Sequence, residues 1–223
     1  MPTGEYRNKA NVVVPSVTTV ISKNLAWNRD NLMRWAWSQG KKGFDFRETV
    51  KKAADAGTLA HYLVDCDLTG VTPDRTKFDG LDQKIISQAQ RAFDNFLKWK
   101  IAHDVKIYKA EQKYVSEKYQ YGGCPDGVGS TIYGKAVLDY KTSKGVYNEY
   151  KIQVFGGYGL LVEECEPQFK ISGFDIIRFD KHSCAFAHYH YDAIDEMVPI
   201  CKAVFLHLLG VEQCRQKIEN LTA

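Results

Sequence analysis

The chain has 223 residues, 44% of them hydrophobic, and a formal net charge of +3. That is enough apolar material for a sizeable core, which argues against disorder, and the mild basicity permits a nucleic-acid partner without demanding one. Six cysteines scattered without a CxxC pair argue against a disulfide scaffold and predict reduced thiols in a cytoplasmic compartment.

No signal peptide is expected, and the apolar run at residues 12–14 stops at Pro15, far short of a bilayer span, so no membrane partner is expected. "VVVPSVTTVISK" predicts an extended lead-in and a short helix capped by Ser16. "NRDNLMRWAWSQGKKG" predicts a second helix ending at Gly40, with Leu32, Trp35 and Ala36 on one face. Trp27, Trp35 and Trp37 are expected in core and subdomain packing, with stacking on bases as the alternative.

"FRETVKKAADAGTLAHYLVDCDLTG" predicts a long amphipathic helix closed by Gly70, with Val50, Ala54, Gly57, Leu59, Ala60, His61 and Val64 inward. Gly57 costs a helix about 1 kcal/mol against alanine, which suggests close approach of another backbone. His61, on the same face, reads by itself as a satisfied core histidine. "DQKIISQAQRAFDNFLKWKIAH" predicts a further amphipathic helix, with Ile85, Ile86, Ala89, Phe93, Phe96 and Leu97 inward.

The pattern then changes. "VKIYKAEQKYVSE", "YQYGGCPDGVGSTIYG" and "KAVLDYKTSK" predict three successive strands. "YNEYKIQVFGGYGLLVEE" predicts a helix loosened by Gly156, Gly157 and Gly159. A hairpin turning at residues 180–183 follows, then a last helix capped by Asp192 and bent at Pro199. This order predicts a single α/β domain: a central mixed β-sheet flanked by helices, with a helical N-terminal part to about residue 105 and the core from about 106 to 223.

The chemistry concentrates in "GGCPDGVGSTIYGKAVLDYKTSK". Strand alternation puts Asp139 and Lys141 on one face and Tyr140 on the other. A carboxylate on so apolar a strand needs a partner or a metal. The plain reading is an Asp139–Lys141 ion pair, with Asp126 a turn aspartate. The sharper one is that adjacent strands bring both acids to one point, an oxygen-ligand set suited to Mg²⁺ or Mn²⁺.

The motifs "PD" at residues 125–126 and "DYK" at 139–141, with "GTLAH" upstream and "YKIQVFGGY" downstream, resemble the PD-(D/E)XK nucleases, in particular RecB-type exonucleases of the phage and mitochondrial branch. The resemblance spans nearly the whole chain and implies a restriction-endonuclease-like core. It implies His61, Asp126, Asp139 and the Tyr140 carbonyl as ligands of one or two Mg²⁺ or Mn²⁺ ions, and Lys141 as the catalytic lysine. It also implies Glu111 as a supporting or metal-linked acid, and Gln153 with Tyr158 as substrate contacts. Here the tyrosine follows the glutamine by five residues rather than four, which in an α-helix turns it roughly 140° away.

Late cysteines Cys184, Cys201 and Cys214 are spaced too widely for the iron–sulfur cluster of some relatives, so none is expected. "CAFAHYH" offers Cys184, His188 and His190 to zinc, but Phe186, His188 and His190 read better as a half-exposed sheet face.

The resemblance thus implies a metal-dependent DNA nuclease, an exonuclease acting in recombination, repair or replication, with phage origin and a host cytoplasm as one setting. Lys41, Lys42, Lys51, Lys52, Lys144 and Lys151 are candidate phosphate contacts. The alternatives are a non-catalytic DNA-binding or inhibitory protein on the same fold, and a structural ion-pair cluster in a metabolic enzyme.

Overall fold

The computed structural model describes residues 5–143, 145–179 and 186–222, with residues 48–55 described by backbone alone. The expectations for Val50, Lys51, Lys52, Ala54, Lys144, Cys184 and the turn at 180–183 lie outside the described residues.

Strands β1 (Tyr6–Arg7) and β2 (Val13–Val14) form a small antiparallel pair. Ser16 then caps α1 (Val17–Asn24), accepting the Thr19 N–H at 3.0 Å. Ser16→Ala is expected to cost about 1 kcal/mol, read from the urea-unfolding midpoint. Helix α2 (Arg29–Lys41) comes next, then α3 (Phe46–Thr69), which Gly70 ends in a left-handed conformation. A 3-10 turn (Arg75–Phe78) leads to α4 (Gln83–Ala102).

The three strands expected next are five. They are β3 (Lys106–Ala110), β4 (Tyr114–Ser116), β5 (Tyr121–Gly123), β6 (Gly127–Thr131) and β7 (Gly134–Thr142). Left-handed backbone at Glu111, φ 49°, splits the first run, and residues 124–126 around Pro125 split the second between β5 and β6; Gln120, φ 59°, lies in the turn between β4 and β5. β4 and β5 pair separately.

Beyond β7 lie α5 (Asn148–Lys151), a π-helical segment (Ile152–Tyr158) and α6 (Gly159–Cys165). β8 (Gly173–Phe179), β9 (Phe186–Asp192) and α7 (Met197–Thr222) complete the chain. Asp195, not Asp192, starts α7: its carboxylate accepts the Met197 N–H at 2.8 Å. Pro199 falls in the first helical turn, where its missing N–H costs nothing and no bend is required.

The central sheet runs β3-β6-β7-β8-β9, antiparallel throughout except for the parallel β7–β8 pair. It is the expected mixed sheet flanked by helices. Alternation along β7 sends Val137 to the face covered by α1, the π segment and α7, and sends Ala136, Leu138 and Tyr140 to the face covered by α3 and α4. α7 has the length and apolar content of a bilayer-spanning helix, but Val198, Cys201, Phe205 and Leu209 bury one side of it in the core.

The N-terminal helices α1, α3 and α4 are therefore layers of the core. α2 departs from this: none of its residues is buried, and Trp27 and Trp37 are 59% and 66% exposed. The core packing expected for those two tryptophans does not occur. Trp35 is half-buried, edge-on to Phe46.

Phe186, His188 and His190 lie partly buried along the strand, in line with the expected sheet face, and the histidines have a partner there. His188 Nε2 and His190 Nδ1 lie 2.7 and 2.9 Å from the same oxygen of fully buried Asp175. Asp175 stands directly opposite His190 in the β8–β9 register, so both imidazoles serve one oxygen of a buried acid.

Candidate active site

Asp126 sits between β5 and β6, one residue before Gly127, which pairs with Leu138 of β7. This register sets Asp126 beside Asp139. The Tyr140 N–H donates to Asp126 Oδ2 at 2.7 Å, so the backbone of one acid strand fixes the other acid. Asp139 is 1% exposed and Asp126 7%. Lys141 Nζ stands 2.6 Å from Asp139 Oδ2, a buried ion pair. The same ammonium lies 5.2 Å from the Tyr150 ring centroid.

α3 supplies the third side. A Cβ on Gly57 would stand 3.2 Å from Thr142, so the glycine lets α3 press on the end of β7, against a side chain rather than the backbone expected. One turn on, His61 Nδ1 reaches 3.9 Å from Asp126 Oδ2, and its ring meets Tyr140 edge-on. Tyr140 itself points into the opposite layer, edge-on to Phe96. A pocket of about 310 Å³ opens along this flank, lined by His61, Tyr62, Asp65 and Lys77 among others.

Glu111 is placed by backbone: its N–H donates to the Asp126 carbonyl at 3.2 Å. The Cys124 thiol approaches its carboxylate at 3.7 Å. Gln153 Nε2 donates to Tyr158 OH at 2.8 Å. The expected 140° separation of this pair does not hold, because the helix is π-wound there. π-turns close i→i+5 bonds, which places residues five apart on one face. The structure thus gathers His61, Asp126, Asp139 and Lys141 and sets Glu111 beside them. It pairs Gln153 with Tyr158.

Asp65 was missed by sequence reasoning. It lies one turn after His61 on α3, and one of its oxygens is buried without a partner. Burial, with Glu111 and Asp126 nearby, pushes its carboxyl up to about 7. An acid four residues after the motif histidine was the available signal.

Burial raises Asp126 and Asp139 to about 6, against the pull of Lys141. Burial works against the Lys141 charge too, but Asp139 and Asp126 outweigh it and raise its pKa. Burial and Lys141 lower His61 to about 4, leaving a neutral imidazole at neutral pH.

Both aspartates hold protons more tightly folded than unfolded. Their contribution to stability is full below the ordinary value of 3.8 and is lost as pH rises through about 6. Asp139→Asn removes one such loss. In EDTA, its stability relative to the parent is expected to rise by about 2 kcal/mol between pH 4 and pH 7, measured by urea unfolding. A flat difference would contradict a buried ionising pair.

No three His, Cys, Asp or Glu side chains among the described residues converge as a ready-made metal cage. The chemistry of the set nonetheless fits a cation. Asp65, Glu111, Asp126 and Asp139 gather about Lys141 and a neutral histidine, and an Asp65 oxygen is buried without a hydrogen bond. Carboxylate oxygens in such excess suit a hard divalent ion.

No family model and no curated protein matches the chain. Solved structures similar to it include a candidate exonuclease from Eubacterium rectale, at 14% identity over 71% of this chain and 68% of that one, TM-score 0.43. Another is the alkaline exonuclease LHK-Exo from Laribacter hongkongensis, at 13% identity over 76% and 92%, TM-score 0.38. That enzyme's complex with dAMP aligns at 12% identity, TM-score 0.36. Likeness at this level says nothing of activity, and the chemistry of the site rests on its own geometry.

Proposed function

We propose that the protein is a divalent-metal-dependent deoxyribonuclease of the PD-(D/E)XK type, working as an exonuclease. The observation that carries the reading is the pair of buried carboxylates from neighbouring strands, fixed together by the Tyr140 N–H with a lysine ammonium on one of them. Asp126, Asp139, His61 and the Tyr140 carbonyl would hold Mg²⁺ or Mn²⁺, with Asp65 and Glu111 as further acids at the rim. The bound ion supplies Lewis-acid polarisation of the scissile phosphodiester.

Lys141 orients the attacking water and stabilises the negative charge that develops on the phosphate. His61, neutral at working pH, is free to donate a lone pair. Gln153 and Tyr158, locked to each other, support the substrate strand from the π segment. Tyr158 is 5% exposed, so its contact with DNA runs through Gln153.

The test is a time course on end-labelled linear and closed circular DNA with Mg²⁺, Mn²⁺ or EDTA. Metal-dependent loss of linear DNA from its ends is expected, with circles spared. Linear DNA left intact under every metal, or degraded equally in EDTA, would contradict the reading. Loss of circles as fast as linear DNA would replace exonuclease with endonuclease action.

A further inference from the structure

We infer that α2 and its flanks form a seat for single-stranded DNA, on which unpaired bases stack before reaching the site. This rests on the nuclease reading and names its substrate class.

The surface is unusual in composition. Residues 27–47 expose Trp27, Leu32, Met33, Trp37, Phe44 and Phe46. The same stretch carries Arg29, Arg34, Lys41, Lys42 and Arg47 against Asp30 and Asp45, a surplus of three that equals the net charge of the whole chain. On α2, Arg34 and Lys41 fall close together, about 50° beyond Trp37. The Lys41 ammonium stands 3.9 Å from the Trp37 ring centroid, leaving the indole otherwise open. Cations for phosphates interleaved with open aromatic faces are the two parts of a sequence-tolerant single-strand surface. A duplex keeps its bases stacked on each other and offers those faces only at an end.

The surface also leads somewhere. Trp27 is followed by Asn28, whose amide bonds the Glu149 carboxylate on α5. The next residue, Tyr150, lies under the Lys141 ammonium. Exposed Tyr147 packs edge-on against Tyr150. Aromatic groups therefore mark the way from α2 to the catalytic lysine. An apolar and basic helix also suits an anionic membrane, but a membrane would not require the approach to Lys141.

The experiment is fluorescence anisotropy of a labelled oligothymidylate and a duplex of equal length, in EDTA to prevent cleavage. The parent, Trp27→Ala/Trp37→Ala and Trp27→Phe/Trp37→Phe are compared. The alanine pair is expected to lose about tenfold or more in affinity for the single strand and little for the duplex, with the phenylalanine pair recovering most of it. Unchanged oligothymidylate binding by the alanine pair would overturn the inference. So would tryptophan-dependent binding of phosphatidylserine vesicles with no binding of oligothymidylate. Because binding is read without metal, a failure here leaves cleavage untouched, and an inactive parent leaves this result standing.

Discussion

Lys141→Ala is expected to lower the initial rate on linear DNA with Mg²⁺ by at least about a hundredfold to a thousandfold, the scale for removing one stabiliser of developing charge. The lysine is held against the buried pair, 2.6 Å from Asp139. Its loss leaves two carboxylates together in a dry site, and each will hold its proton to a higher pH. Metal binding should survive, because Lys141 is a competitor for Asp139 rather than a ligand. The informative result is therefore a split: a rate close to background with Mn²⁺ still bound. A rate within tenfold of the parent would remove Lys141 from the mechanism.

Gly156→Ala is expected to destabilise the protein by about 1–3 kcal/mol, the usual cost of overpacking. An added Cβ would stand 2.6 Å from the Cys201 carbonyl oxygen and 2.8 Å from Phe205 Cβ, both on α7. The α7 backbone cannot rotate away as a side chain can. The segment must shift, and Gln153 and Tyr158 flank that position on the same π-wound stretch. The measurement is the urea midpoint together with the cleavage rate of the folded variant. An unchanged midpoint would show that the close approach of the π segment to α7 is not needed.

What the sequence revealed was local. Alternation along residues 136–141 placed Asp139 and Lys141 on one face, and helical periodicity found α3 and α4. What escaped it needed longer-range information. Glu111 adopts left-handed backbone without being glycine, so nothing flagged the break that separates β3 from β4. The π-winding that pairs Gln153 with Tyr158 lies in a stretch whose glycines meet α7, α1 and β8, contacts that only the assembled fold supplies. The partner of His188 and His190 was not legible, because Asp175 meets them only through the β8–β9 register. α2 has the pattern of a packed helix, and only the assembled fold shows that none of its own residues is buried.

The central claim is that Asp126 and Asp139 make one divalent-metal site. Calorimetric titration of Mn²⁺ into the parent and into Asp126→Asn/Asp139→Asn at pH 8, without DNA, tests it most directly, because it requires no choice of substrate. The account predicts saturable binding by the parent and none by the double variant. No heat from the parent, or equal binding by both, would contradict it.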